Sequence, residues 1–234
     1  MFINGLKKEF RDNYLNTLMN RATYASLTVE EKGLNFSSEK NASKIYNNLV
    51  AMKKILEIKD RKLSPYDIVD IAQIINKNIS DMPKGFRRVG AMIKDSSMEI
   101  EDPRYIREAM YNLFNNYYNI WDLLPVYERE AKFHREFIRI HPFEDGNGRT
   151  ARIITNYNLM INNKAPIIIE KEERKKYFDM LEFDKIEELT NFFKQKSHEE
   201  FETMLNLYKE NYNGNFIEDE TDENMKIYTI NRKF

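Results

Sequence analysis

His141-Pro-Phe-Glu-Asp-Gly-Asn-Gly-Arg-Thr-Ala-Arg152 joins two stretches in which apolar residues recur three or four apart, and that junction decides the fold. Upstream, Pro125 opens a helix that runs to Ile140 and carries Ala131, His134 and Phe137. Downstream, Ile153, Ile154, Tyr157 and Met160 suit a helix ending near Asn162 and Asn163. Gly146-Asn147-Gly148 falls where the second helix begins, so unpaired amides and the positive end of the helix dipole meet there. Glycines let the chain turn tightly and let an anion approach the backbone with no Cβ in the way.

The side chains around this cradle fit a polyphosphate. Arg149 and Arg152, three apart, project from one helix face, and each can fork two donors onto phosphate oxygens. Asp145 supplies one hard oxygen ligand for Mg²⁺, with phosphate and water oxygens filling the other positions. His141, with a reference pKa of about 6.5, can take a proton from an attacking hydroxyl at neutral pH. Phe143 is read as apolar packing that anchors the loop. A plain turn with a capping Asp, solvated arginines and an exposed His would explain any one of these residues. The joint pattern arises by chance on the order of once in ten billion start positions, so the residues are read together.

Outward from the motif, the chain reads as mainly α. It has 234 residues with only 7 Gly and 6 Pro, and 41% hydrophobic content supports one sizeable core. Ile45, Leu49, Met52 and Leu56 form a helical stripe. Ser64-Pro65-Tyr66-Asp67 combines an N-cap, a first-turn proline and an acidic residue three places on, and Asp102-Pro103 repeats the logic for a helix with Ile106, Met110, Leu113 and Tyr117. Two further helices follow Glu172 and Phe183. Residues 86–100 are predicted to form a β-hairpin turning at Lys94 to Ser97. The acidic run 218–223 with its basic end reads as a solvated tail, a docking peptide being the other reading.

Bulk chemistry narrows the class. Lys and Arg number 37 against 38 Asp and Glu, a net charge of -1, so nothing global favours nucleic acid or an anionic membrane. No stretch approaches a membrane span or a signal peptide, and the absence of Cys suits a reducing cytoplasm.

The run 141–152 matches the signature His-x-Phe-x-[Asp/Glu]-Gly-Asn-Gly-Arg-x-x-Arg without departure, so the chain resembles the Fic family of protein adenylyltransferases. The similarity spans roughly residues 35–200, with the hairpin where the family's flap lies, and Ala165-Pro-Ile-Ile-Ile169 and Tyr177 as the usual continuation. It implies a compact helical fold with a β-hairpin flap over the active loop, N-terminal helices including an inhibitory segment at 1–34, a Fic domain at 35–200, and a C-terminal helix and charged tail at 201–234. By that resemblance His141 deprotonates a target hydroxyl, which attacks the α-phosphate of ATP. Asp145 holds Mg²⁺, and Gly146, Asn147 and Gly148 form the anion hole. Arg149 contacts the β-phosphate, Arg152 orients the γ-phosphate, and Asn156 and Tyr177 line an adenine pocket. A target protein would lie along the flap at 87–100 by strand-like pairing, with self-modification expected and an oligomer compatible with the family.

Many relatives carry an inhibitory [Ser/Thr]-x-x-x-Glu-[Gly/Asn] helix whose Glu pairs with the second motif Arg. Ser26-Leu-Thr-Val-Glu30 fits it, as in the subclass with an N-terminal inhibitor, although Glu31 replaces the usual Gly or Asn. Glu30 is thereby expected to deny the γ-phosphate its site, and inhibited relatives are thought to remove AMP as well. Two alternatives stand beside adenylyl transfer. One is a Doc-like phosphotransferase that moves the γ-phosphate, a branch that commonly has Lys where this chain has Gly148. The other is a catalytically silent nucleotide-binding module.

Overall fold

The computed structural model describes residues 3–4, 6–31, 34, 38–58, 61–79, 85–94 and 96–211. Among them lie eight α-helices: α1 (Lys8–Glu30), α2 (Glu39–Leu56), α3 (Pro65–Ile75), α4 (Ile106–Asn115), α5 (Val126–Ile140), α6 (Asn147–Ile161), α7 (Arg174–Glu182) and α8 (Ile186–Asn211). A π-helical turn, Asn116–Ile120, prolongs α4, and a 3-10 turn, Lys171–Glu173, precedes α7. Helix starts follow local chemistry. Ser64 caps α3 in a capping box, its Oγ accepting from the Asp67 amide at 3.4 Å while the Asp67 carboxylate accepts from the Ser64 amide at 2.7 Å. Arg61 grips the same carboxylate with two donors, which with the Ser64 contacts holds its pKa at about 2.

α6 is the central rod. From Asn147 to Met160 every residue except Gly148 is buried, and the helix meets α1, α2, α3 and α5. A helix covered on all sides has no polar stripe to set its orientation, so its buried polar groups must each find partners. α5 packs against α4, α6 and α8, with Phe133, Phe137 and Ile140 fully inside. α1 is one continuous helix. It carries Phe10, Tyr14, Leu18, Met19, Ala22, Ala25, Leu27 and Val29 into the core and is tied to α8 by Tyr14 and Arg21, both on the buried Glu200.

One expectation is completed by the structure and one is corrected. On α2 the stripe faces the core, with Met52 buried and Leu49 and Leu56 partly buried against it. The inward face also takes Ala51, Ile55, Asn47 and Asn48, the two amides bonding the Ile75 and Lys77 carbonyls and the Thr23 hydroxyl. A buried amide with partners is as good a core residue as an apolar one, and apolar periodicity cannot see it.

The β-hairpin at 86–100 is absent. No strand occurs among the described residues, and the segment is held by side chains rather than by a ladder. Ser97 donates from amide and hydroxyl to Glu182, the Ser96 amide bonds the Ile93 carbonyl, and Arg87 fastens the base. Phe86, Ile93 and Met98 are partly buried against the core while Val89 and Met92 stand 56% and 90% exposed, so the segment's apolar contacts run to the core and not across a two-stranded ribbon, which alone is marginal. Residue 95 of its expected turn and the acidic run 218–223 lie outside the described residues. None of the described helices is long and apolar enough to cross a membrane.

Candidate active site

The loop between α5 and α6 is built from backbone up. His141 ends α5 in the left-handed region, φ 48°, with its amide still bonded to the Phe137 carbonyl at 3.0 Å. That reversal turns the following residues back over the helix. Phe143 is fully buried against Phe86 and Phe137, as its reading as an anchor requires. The Asn147 side chain brackets it, accepting from the Phe143 amide at 2.9 Å and donating to its carbonyl at 2.8 Å. Gly146 adopts φ 78°, and a Cβ there would sit 2.8 Å from the Asn76 amide nitrogen. Asn76 in turn donates to the Asp145 carbonyl at 3.0 Å, closing the loop from α3's end.

Around this loop the charges converge. Arg149, only 2% exposed, reaches Asp145 Oδ1 at 3.0 Å, and its Nε lies 3.4 Å from Glu30 Oε2 without hydrogen-bond geometry. Its Nε and Nη1 are buried without a hydrogen-bond partner. Orphaned guanidinium nitrogens at a helix start are a vacancy in chemical terms, since buried donors call for acceptors. Arg152 donates from Nη2 to Glu30 Oε1 at 2.6 Å and to the Ser26 carbonyl at 2.9 Å, and from Nε to the Ser26 hydroxyl at 2.9 Å. The Glu30 carboxylate lies over Gly148, where an added Cβ would collide with it.

His141 is poised as a base. Burial is the main cause that lowers its pKa, to about 4, so the ring is neutral at physiological pH. Its Nδ1 faces the Ile138 carbonyl at 3.3 Å, and a carbonyl only accepts, so Nδ1 carries the hydrogen and Nε2 keeps a free lone pair. Arg87 holds the residue from behind, donating from Nε to the His141 carbonyl at 2.7 Å and to the Val89 and Glu101 carbonyls at either end of the 87–100 segment. Asp145 is about half exposed, with Oδ1 bonded to the Gly146 amide and Arg149. It offers one carboxylate to a cation, and no group of three metal-ligating side chains occurs among the described residues.

A model of the Fic/DOC family matches residues 62–159. Over that span the chain is similar to the family. It is 29% identical over 138 residues to the protein adenylyltransferase Fic of Aedes aegypti, a match covering 58% of this chain and 25% of that protein. The chain thus spans about a quarter of the length of the curated relatives it matches. Its fold is that of a Fic domain containing signaling protein from Bacteroides thetaiotaomicron, with a TM-score of 0.76, 20% identity and coverage of 86% of this chain and 91% of that one. Fic-1 from C. elegans, residues 134–508, superposes with a TM-score of 0.73 at 19% identity, covering 89% and 69%.

The structure brings His141, Asp145 and Gly146 of the loop together with Asn147, Gly148, Arg149 and Arg152 at the start of α6, and adds Ser26 and Glu30 from α1. Asn156 and Tyr177 are buried, the Asn156 amide pairing with both backbone groups of Ile167 and the Tyr177 hydroxyl lying 2.6 Å from His134 Nε2. Asn76 and Arg87 escaped the sequence reading. Asn76 lies 69 residues from the carbonyl it holds and belongs to no short motif. Arg87 is one of two adjacent arginines, and the three carbonyl acceptors that single it out come from the fold.

Proposed function

We propose that this chain is a protein adenylyltransferase, transferring AMP from ATP to a hydroxyl of a target protein or of itself. The observation that carries the reading is Arg149, whose two buried nitrogens lack acceptors at the start of α6, beside a neutral His141 with its Nε2 lone pair free. In the reaction the target oxygen forms a bond to the α-phosphorus, and its proton passes to His141 Nε2. The bond from the α-phosphorus to the oxygen bridging toward the β-phosphate breaks, and pyrophosphate leaves. Gly146, Asn147 and Gly148 present amides to the transferring group, Arg149 binds the β-phosphate and Arg152 the γ-phosphate. Asp145 would hold Mg²⁺, whose charge would stabilise the departing pyrophosphate. The half-exposed carboxylate fits an ion that keeps most of its water.

Glu30 and the γ-phosphate compete for Arg152, so the resting protein is autoinhibited. With Glu30 in place the cradle and His141 remain, an arrangement suited to removal of AMP by water. A target segment would lie along residues 87–100, where Val89 and Met92 offer exposed apolar contacts, in the cytoplasm. ATP labelled separately at the α- and γ-phosphate tests the reading in the Glu30→Gly protein with Mg²⁺. The α label should enter protein, and His141→Ala should abolish it while keeping ATP binding. Incorporation of the γ label would instead make the chain a phosphotransferase, and no label in either form would make it a binding module.

A further inference from the structure

Where α3 ends, one buried carboxamide meets the active loop, and the reaction above gives it no part. Asn76 caps α3 and is only 3% exposed. Its Nδ2 donates to the Ala72 carbonyl of its own helix and to the Asp145 carbonyl, both at 3.0 Å. Its Oδ1 accepts from Arg149 Nη2 at 3.4 Å. Gly146 makes this approach possible, since a Cβ there would stand 2.8 Å from Asn76 Nδ2 and 3.2 Å from its Oδ1.

The inventory of donors fixes how this group lies. An amide nitrogen carries two hydrogens and accepts nothing, and a guanidinium only donates. Turning the carboxamide over would set donors against Arg149 and an oxygen against two carbonyls. The backbone that carries it is held as well. Asn47 of α2 donates from Nδ2 to the Ile75 carbonyl at 3.3 Å and to the Lys77 carbonyl at 2.7 Å, the two neighbours of Asn76 in the chain.

The hydrogen bonds of Arg149 show what the arrangement does. They leave from Nη2, to Asn76 and to Asp145 Oδ1 at 3.0 Å, while Nε and Nη1 are buried without a hydrogen-bond partner. With both acceptors on one nitrogen, the planar guanidinium is oriented and its other two nitrogens stay unspent. The two acceptors differ in kind. Asp145 is charged, with its side chain 49% exposed, and is assigned above to a cation, whereas Asn76 is neutral and buried. A neutral acceptor orients the guanidinium and leaves its charge to a ligand. We infer that Asn76 is a positioning residue, which pins Arg149 so that Nε and Nη1 face the β-phosphate and ties that arginine to the backbone of the loop at Asp145.

The inference rests on the assignment of the β-phosphate to Arg149, and its test separates the two. ADP and AMP differ by that phosphate, so their affinities are compared by calorimetry in the full chain carrying Glu30→Gly. EDTA is present, so that no cation carries the phosphate. Asn76→Leu keeps the bulk and removes both donor and acceptor. It should lower the ADP-to-AMP affinity ratio about tenfold, the worth of one hydrogen bond to a charged group, with AMP binding little changed as the sign of a folded protein. Asn76→Asp places a carboxylate beside Arg149 and should lower the ratio at least as far. In an Arg149→Gln background Asn76→Leu should change the ratio no further, because the residue acts through that side chain. Equal losses of ADP and AMP affinity would reduce Asn76 to packing. An unaltered ratio in either folded variant, or a tenfold loss that persists without Arg149, would overturn the inference outright. If Arg149→Gln keeps the parent's preference for ADP, the β-phosphate assignment falls and the inference with it. A parent whose preference for ADP depends on Arg149 but which transfers no label from α-labelled ATP refutes adenylyl transfer while leaving the positioning role intact.

Discussion

Replacing Glu30 by glycine removes the carboxylate that meets both motif arginines, at 2.6 Å from Arg152 Nη2 and 3.4 Å from Arg149 Nε. The Glu30 side chain is 24% exposed and that of Arg152 only 6%, so water screens the pair from one side. A charge-assisted bond of this kind is worth about 1.5–3 kcal/mol, and a γ-phosphate must displace it, so apparent ATP affinity should tighten roughly 10- to 150-fold in Glu30→Gly. The unliganded protein should lose stability, because a buried cation is left without its anion. Arg152 keeps the Ser26 hydroxyl and carbonyl as acceptors, which limits the loss to about 2 kcal/mol, or about 4–8 °C in Tm for a domain of this size. Thermal unfolding with and without ATP and Mg²⁺ reads both effects. The variant should melt below the parent when empty, and nucleotide should raise its Tm by more. Equal ATP affinity in parent and variant, measured by calorimetry, would refute the competition. Glu30→Gln keeps the shape without the charge and should fall between the two.

Other outcomes follow from the same geometry. Burial depresses His141 to about pH 4 in the native state, so the base stays competent until the pH falls through that value. kcat/KM of the Glu30→Gly protein should therefore be flat from pH 8 to about 5 and decline below, and an acid limb centred near pH 6.5 would show a solvated imidazole. Arg87→Gln strips donors from the His141, Val89 and Glu101 carbonyls. It should cost about 2–4 kcal/mol in denaturant unfolding and slow AMP transfer to protein more than it weakens ATP binding. Gly146→Ala forces a Cβ onto Asn76 at φ 78° and should lower Tm, whereas a variant melting with the parent would mean the loop relaxes freely.

What the sequence made legible was local chemistry. Ser64 and Asp67 fix the start of α3 within four residues, and the cradle 146–148 follows from glycine, helix start and arginine spacing. Ser26 and Glu30 were found by their spacing of four and do meet Arg152. What stayed hidden depends on who lies opposite. Asn48 faces inward because Thr23 waits on another helix, and Glu130 is wholly buried because Tyr117 and Asn158 bond it. The hairpin failed for a related reason: residues 86–100 have the alphabet of strands, but the Arg87 amide bonds the Pro142 carbonyl and the Ser97 amide bonds Glu182, so no ladder forms. The family resemblance puts Tyr177 and Asn156 at an adenine pocket, and their polar atoms bond His134 and Ile167, partners that no motif spacing announces.

α1 carries Glu30 on its last turn while its body is part of the core. Detaching the helix would expose Leu18, Met19, Ala25, Leu27 and Val29 and strand Glu200 without Tyr14 and Arg21. Proteolysis that removed it would therefore yield an unfolded chain rather than an unleashed enzyme. The only economical way to move Glu30 is a change confined to the final turn. There Arg174 holds the Val29 carbonyl and Lys44 holds Glu31, so a perturbation of either contact would travel a single helical turn before it reached the guanidinium.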